Sequence, residues 1–146
     1  MIGIDTNVLV RFIVQDDAAQ AALAAEVIER QCSAEHPGFV NLVVLCELAW
    51  VLAAAYGYSR AQVALALRQV LVTECLEVQE HALAWAAVED YAAGAADYAD
   101  FVIGRLNQAR GVETTVTFDR RAARSRLFTL LAAPTSGGGT GVGMPP

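Results

Sequence analysis

The sequence predicts an α/β protein with a mostly parallel sheet, and three observations lead to that prediction. Short runs rich in β-branched and aromatic residues alternate along the chain with longer segments of helical periodicity. Capping and turn residues separate these segments. Finally, 55% of the 146 residues are hydrophobic, and the abundance of alanine among them favours closely packed helices over a β-sandwich. The length suits a single domain.

Five short strands and five helices are expected from these patterns. The strands are predicted at residues 1–5, 39–42, 75–78, 112–118 and 127–131. The helices are predicted at residues 18–30, 43–56, 60–72, 81–93 and 96–110, with one further turn or helix at residues 120–126. Asp17 and Ser59 are suited to begin two of the helices, and Gly94 and Gly111 to end two others. Residues 1–133 are therefore predicted to form the domain, and the Gly- and Pro-rich residues 134–146 a flexible tail.

The composition excludes several kinds of enzyme. All ten basic residues are arginine, so the chain lacks the lysine that a P-loop or a pyridoxal enzyme needs. The three cysteines include no C-x-x-C pair, and the two histidines lack ligand spacing, so no zinc or redox motif is present. No secretory signal and no apolar segment of about 20 residues is visible, so a cytoplasmic protein without membrane contact is expected.

The net charge of −6 is unusual for a protein that binds nucleic acid, because such proteins generally present a basic surface. A metal site built from several of the acidic residues would reconcile the two. A bound divalent ion would offset part of the negative charge, and much of the remainder would lie away from the substrate.

Two aspartates stand where predicted strands end. Asp5 follows the first strand and Asp119 follows the fourth, and polar residues come next in each case. Because ligands of open α/β sheets gather at the carboxyl ends of the strands, both carboxylates are candidates for one cleft. The alternative is that each aspartate caps the turn or helix that follows it.

Three further acids lie in or beside helical segments. Glu47 stands in the apolar stretch 42–52, where we expect it to be buried and therefore neutral, paired with an arginine or bound to a metal. Asp97 and Asp100 are three residues apart, so on a helix they share a face and repel each other unless a cation joins them. Asp97 is the better candidate for an N-cap, whereas the apolar residues directly after Asp100 favour a role in the site.

An all-oxygen set of this kind suits a hard divalent ion, Mg²⁺ or Mn²⁺, rather than zinc or copper. Such an ion serves phosphodiester hydrolysis, because it clamps the phosphate oxygens and activates a water for in-line attack. The sequence offers no serine, cysteine or histidine arrangement that could act as a rival nucleophile.

Four segments resemble the acidic motifs of the PIN-domain ribonucleases. They are residues 3–9 (GIDTNVL), 45–48 (LCEL), 99–103 (ADFVI) and 115–120 (TVTFDR), in the order that the family has them. The chain resembles in particular the VapC-type toxins of bacterial toxin–antitoxin pairs, over about residues 1–131.

This resemblance implies a PIN-like, Rossmann-like α/β/α sandwich with a central, mostly parallel sheet, and a Mg²⁺-dependent endoribonuclease in which Mn²⁺ can substitute. It also implies a homodimer and a cognate antitoxin protein. Catalysis and metal binding would fall to Asp5, Glu47, Asp100 and Asp119. Supporting roles would fall to Thr6, Asn7, Asp97 and Thr117, and RNA contacts to Arg120 and Arg121, which begin an arginine cluster that extends to residue 126.

Two other functions stay open. A metal-dependent phosphatase could use a strand-end aspartate as its nucleophile, but many such enzymes carry D-x-D, where this chain has Asp5, Thr6 and Asn7, and commonly need a lysine. A PIN fold without catalysis could bind RNA or protein, although all four acids are present. A metal-dependent cleavage assay on mixed RNA separates these alternatives.

Overall fold

The computed structural model describes residues 1–133, which form an α/β structure with parallel strands, as predicted. The predicted tail, residues 134–146, lies outside the described residues. The strands are β1 (Ile2–Gly3), β2 (Gly38–Val40), β3 (Leu76–Val78), β4 (Thr115–Thr117) and β5 (Phe128–Leu130). The helices are α1 (Thr6–Val14), α2 (Ala18–Ala25), α3 (Leu42–Ala54), α4 (Arg60–Val72), α5 (His81–Ala93) and α6 (Tyr98–Ala109). A π-helical turn, Glu26–Gln31, continues α2, and a 3-10 turn, Ala122–Arg124, precedes β5.

The described strands divide into a three-stranded and a two-stranded sheet, a division that the sequence did not predict. The first sheet has the order β1-β2-β3, with Ile2 opposite Gly38 and Gly38 opposite Leu76. The second pairs β4 with β5, with Thr115 opposite Phe128. All the pairs are parallel, so helical crossovers join the strands of the first sheet, as parallel pairing requires.

Local capping signals explain why most helices begin and end near the predicted residues. The Asp17 carboxylate accepts a hydrogen bond from the Gln20 N–H at 3.0 Å at the start of α2. Ser59 and Gln62 form a capping box at the start of α4. Helix α5 spans the predicted residues 81–93, and Gly111 takes a φ of +90° just after α6, where a glycine is favoured.

Helix α1 was not predicted, because residues 8–14 are apolar apart from Arg11, although Asp5 was recognised as a possible cap. In the structure Leu9 and Val10 are buried. The guanidinium of Arg11 donates to Asp16 Oδ1 and to the Tyr56 hydroxyl, both at 2.9 Å. Tertiary contacts with α2 and α3 therefore stabilise this helix.

The core lies between the helices and the strands that they cover. Its largest fully buried side chains include Leu9, Ile28, Val40, Leu45, Leu48, Leu52, Val63, Leu67, Val88 and Tyr98. Helix α6 approaches the last strand at Gly104, where an added Cβ would lie 2.9 Å from a ring carbon of Phe128. Among residues 1–133, no helix has the length and apolar character needed to cross a membrane.

Candidate functional site

Asp5 lies between β1 and α1 with its side chain exposed. It holds the N-cap position of α1, but its carboxylate accepts no hydrogen bond from the first turn of the helix. The next residue, Thr6, is 4% exposed, and its Oγ1 is the only buried side-chain polar atom of residues 1–133 without a hydrogen-bond partner. Buried hydroxyls normally have a partner. This turn therefore carries both a carboxylate that is not used for capping and an unsatisfied hydroxyl.

Asp119 follows β4 and is held by the backbone. Its Oδ1 accepts hydrogen bonds from the N–H groups of Arg121 at 2.8 Å and Ala122 at 3.2 Å. These bonds favour the charged form and hold the pKa of Asp119 below its ordinary value. The N–H of Asp119 in turn donates to Thr117 Oγ1 at 3.0 Å. Asp119 thus caps the following turn with one oxygen, while the described residues give its Oδ2 no hydrogen bond.

Asp97 and Asp100 stand at the start of α6. Asp97 is the N-cap residue, as predicted, and its N–H donates to Asp100 Oδ2 at 3.2 Å. Burial raises the pKa of Asp100 above its ordinary value, and the negative charges of Asp119 and Asp97 raise it further. The charge of Asp119, which belongs to a different element, therefore acts on Asp100.

Glu47 is exposed, so the prediction that it is buried was wrong. It shares the outer face of α3 with Val43 and Trp50, whose exposed fractions are 65% and 66%. Leu45 and Leu48 point to the core instead and are fully buried. Apolar residues surround this helix, but only one of its faces meets the core. Burial therefore gives no reason to place a metal at Glu47. Only its position in the second acidic motif supports that role.

Within residues 1–133, no three His, Cys, Asp or Glu side chains are grouped so that they could hold one metal ion. Of the other predicted ligands, Asp119 contributes to the raised pKa of Asp100, whereas Asp5 and Glu47 do not. Mg²⁺ keeps several waters and commonly takes only one or two protein carboxylates. The pair Asp100 and Asp119 therefore fits a hard divalent ion in its chemistry.

Arg60, which was not among the predicted site residues, holds the loop that precedes Asp97. Its guanidinium donates to the backbone oxygens of Tyr91 at 3.0 Å, Ala95 at 2.9 Å and Ala96 at 2.8 Å, and lies 4.2 Å from the centre of the Tyr91 ring. One signal was available. A cation at the first position of a helix opposes the helix dipole, so an arginine at the start of α4 indicates a tertiary contact.

The two predicted RNA contacts differ in their surroundings. Arg120 and Arg121 are both exposed, but only Arg121 lines a cleft of about 420 Å³ beside the start of α6. Its Nε lies 3.9 Å from Asp119 Oδ1. Asn7, predicted to support the site, is exposed and lines a separate cleft of about 290 Å³ between α1 and α2, together with Leu23.

The comparison with protein families supplies a match that spans most of the chain. The profile of the PIN domain matches residues 2–126, a range that includes all four acidic motifs. Comparisons with curated proteins and with solved structures gave no match. PIN domains have a nuclease-type fold, generally depend on divalent metal ions such as Mg²⁺, and act on RNA. The chain belongs to the PIN domain family.

Proposed function

We propose that this chain is a Mg²⁺-dependent endoribonuclease in which Mn²⁺ can replace Mg²⁺. One observation carries the proposal. Phe101, next to Asp100 at the start of α6, and Arg121, two residues after Asp119, line the same cleft, so the two aspartates lie near each other although 19 positions separate them in the chain. Repulsion between two carboxylates is relieved when they share a cation. In a PIN domain, the expected use of such a pair is the binding of a divalent ion for RNA hydrolysis.

We assign metal binding and catalysis to Asp5, Glu47, Asp100 and Asp119. When bound, a divalent ion neutralises charge on the phosphate oxygens and makes a bound water more acidic. Asp100 and Asp119 would hold it directly, since the N–H of Asp97 engages only one oxygen of Asp100 and the backbone engages only one oxygen of Asp119.

The neighbouring residues have supporting tasks in this proposal. Thr117 fixes the backbone of Asp119, and the N–H of Asp97 orients the carboxylate of Asp100. Thr6 and Asn7 stand beside Asp5, where the unsatisfied hydroxyl of Thr6 is available to a bound water or to substrate. Arg120 and Arg121 follow Asp119 directly and would provide positive charge for the RNA backbone.

The cleavage proposal is tested with the purified protein and a mixed-sequence RNA. We expect cleavage with Mg²⁺ or Mn²⁺ and none in EDTA. Asp119→Asn should lose at least about a hundredfold in rate, because even residues that only orient metal ligands are worth 10- to 100-fold in metal affinity or activity. Asp17→Asn is the matched control, since Asp17 caps α2 and asparagine caps nearly as well.

The same assay distinguishes the alternatives. Cleavage that survives complete chelation would contradict the metal mechanism. RNA binding without cleavage under any divalent ion would indicate a binding module. Hydrolysis of p-nitrophenyl phosphate by a protein that leaves RNA intact would indicate a phosphatase.

We further propose that the protein is the toxin of a toxin–antitoxin pair, acts in the cytoplasm and forms a homodimer. The homodimer rests on the resemblance to the VapC-type toxins and on the hydrophobic content of 55%, which is high for a chain of this length. The apolar cleft that extends from Asn7 to Leu23 would receive the antitoxin close to Asp5. Sedimentation that finds only monomer at micromolar concentration would contradict the dimer. An antitoxin encoded beside the gene should stop cleavage when added to the purified protein.

A further inference from the structure

We propose that the cleft between the 3-10 turn and the loop before α6 is a subsite for a backbone phosphate of the RNA. Arg121, Arg124 and Ser125 line one side of it, and Gly94 and Ala95 line the other. The inference rests on the proposed function, because the bound phosphate would belong to a nucleotide next to the one that is cleaved.

The local backbone explains why two arginines meet at this cleft. In a 3-10 turn, side chains three residues apart lie on the same side. The Arg124 N–H donates to the Arg121 carbonyl at 3.3 Å, which is the bond of such a turn. Arg121 and Arg124 therefore point to one side, whereas Arg120 and Arg126 are not among the lining residues.

The positive charge of this pair is largely unused within the described part of the chain. Neither an ion pair nor a side-chain hydrogen bond engages Arg124 there, and the nearest acid to Arg121 is Asp119, at 3.9 Å. Asp90 also lines the cleft, but Arg105 neutralises it through two hydrogen bonds of 2.6 and 2.8 Å. The cleft thus presents two available guanidinium groups, which match the geometry of phosphate oxygens.

The opposite side of the cleft is held in place and leaves room for a ligand. An added Cβ on Gly94 would lie 2.6 Å from Phe101 Cζ and 2.8 Å from the Asp90 carbonyl oxygen, so this backbone packs closely against two other residues that line the cleft. Arg60 holds the same loop through the carbonyls of Ala95 and Ala96. A cleft of about 420 Å³ with such fixed sides can receive a phosphate and part of its sugar.

The cleft also adjoins the acidic pair. Phe101 lines it and follows Asp100 in the chain, and Arg121 both lines it and influences the pKa of Asp100. Contacts to phosphate position a nucleic acid without reading its bases. In a protein with a net charge of −6, two arginines concentrated here would provide the local attraction that its overall charge does not.

Binding of a short, fluorescently labelled, single-stranded RNA in EDTA tests this subsite, because chelation prevents cleavage. We expect Arg124→Gln to weaken binding by about tenfold, the effect of losing one charge-assisted contact. The slope of the logarithm of the affinity against the logarithm of the salt concentration should fall by about 0.7, the value for one phosphate contact on a single strand. Arg124→Lys, which keeps the charge, should keep most of the slope.

Arg110→Gln is the matched control, since Arg110 is exposed at the far end of α6 and the substitution changes the net charge equally. It should leave affinity and slope almost unchanged. Both variants should melt at the wild-type temperature. In the cleavage assay Arg124→Gln should raise KM and keep kcat within about twofold, as expected for loss of uniform binding.

Equal RNA affinity in Arg124→Gln and Arg110→Gln would overturn the subsite, while metal-dependent cleavage by the wild type would leave the proposed function intact. Conversely, a wild-type protein that never cleaves RNA would refute the proposed function, and the binding experiment in EDTA would still decide the role of the cleft. If a glutamate-rich peptide binds through Arg124 and RNA binding does not depend on that residue, the cleft serves a protein partner and the proposal is wrong.

Discussion

The turn after β1 and the turn after β4 have the same arrangement in the sequence, but their aspartates have different contacts. Asp5 is exposed, and its carboxylate accepts no hydrogen bond from the helix that it precedes. Asp119 accepts two backbone hydrogen bonds, and its own N–H is held by Thr117. The carboxylate of a strand-end aspartate can therefore make no capping bond in one turn and hold the backbone in the other.

The difference follows from how each turn is anchored. Helix α1 is held near its end by Arg11, which donates to Asp16, to Tyr56 and to Gln20 at 2.6 to 2.9 Å. At the start of the same helix the backbone oxygen of Asp5 accepts from the N–H groups of Val8 and Leu9 at 3.1 and 3.4 Å, and its carboxylate makes no capping bond. The segment after β4 is only a short 3-10 turn, and the hydrogen bonds to Asp119 hold it in shape. Where other contacts hold the adjoining helix, the carboxylate is not needed for capping and is available to bind a ligand.

The largest expected effect tests whether Asp5 and Asp119, which have different contacts, are both needed for cleavage. Asp5→Asn and Asp119→Asn should each reduce metal-dependent RNA cleavage by at least about a hundredfold, and Asp100→Asn should do the same. Initial rates at saturating Mg²⁺ measure this. Full activity in any one of the three variants would remove that residue from the site.

The second prediction concerns the loop before α6, which Arg60 holds. Arg60→Gln should leave carbonyl oxygens of this loop without their partner and cost about 2–4 kcal/mol in the free energy of unfolding. It should also slow cleavage, because the loop leads directly to Asp97 and Asp100. Urea denaturation measures the first effect. Arg68→Gln is the control, since its surface ion pair with Glu89 is worth at most about 1 kcal/mol. Equal losses in the two variants would show that the contacts of Arg60 contribute nothing specific.

The third prediction compares how much Asp5 and Asp119 each contribute to the stability of the folded protein. Asp119→Ala should lower the melting temperature, because two backbone N–H groups lose their acceptor. Asp5→Ala should leave it unchanged, because its side chain makes no capping bond. Thermal melts of the metal-free protein compare the two, and an equal decrease would show that Asp5 also has a structural role.

The smallest expected effect is the pH dependence of the stability that Asp16 gives to the end of α1. The hydrogen bond from Tyr56, assisted by Arg11, lowers the pKa of Asp16 in the folded protein. This stabilisation is present above the pKa of the unfolded state and is lost as pH falls through the lowered pKa. Asp16→Asn should therefore melt below the wild type at pH 7, and the difference should disappear in acid. A difference that stays constant with pH would show that the charge of Asp16 is not involved.

The sequence predicted the elements whose signals act between near neighbours. Asp17 with Gln20, Ser59 with Gln62, and Gly111 after α6 lie within a few residues of the backbone that they shape. The family could likewise be predicted from the sequence, because each of its four acidic motifs is a short segment. Helix α1 could not be predicted in this way, because its anchor at Tyr56 is 45 residues from Arg11.

The exposure of Glu47 shows the limit of periodicity. Helix α3 has apolar residues on every side, so its sequence does not reveal which face meets the core. The packing of the neighbouring helices buries Leu45, Leu48 and Leu52 and leaves Val43 and Trp50 in solvent. Only this packing decides that Glu47 reaches water.

Apart from α1, the sequence by itself determined the order of strands and helices, and it also determined the family and the acids that are candidates for the site. The tertiary structure alone decided that the charge of Asp119 acts on Asp100, that Arg60 holds the loop before Asp97, and that Arg121 and Arg124 line one cleft. The reason is the range of the forces involved. Hydrogen bonds and the repulsion of partly buried charges act over a few ångströms, and residues far apart in the chain come within that range only after the helices and strands have packed.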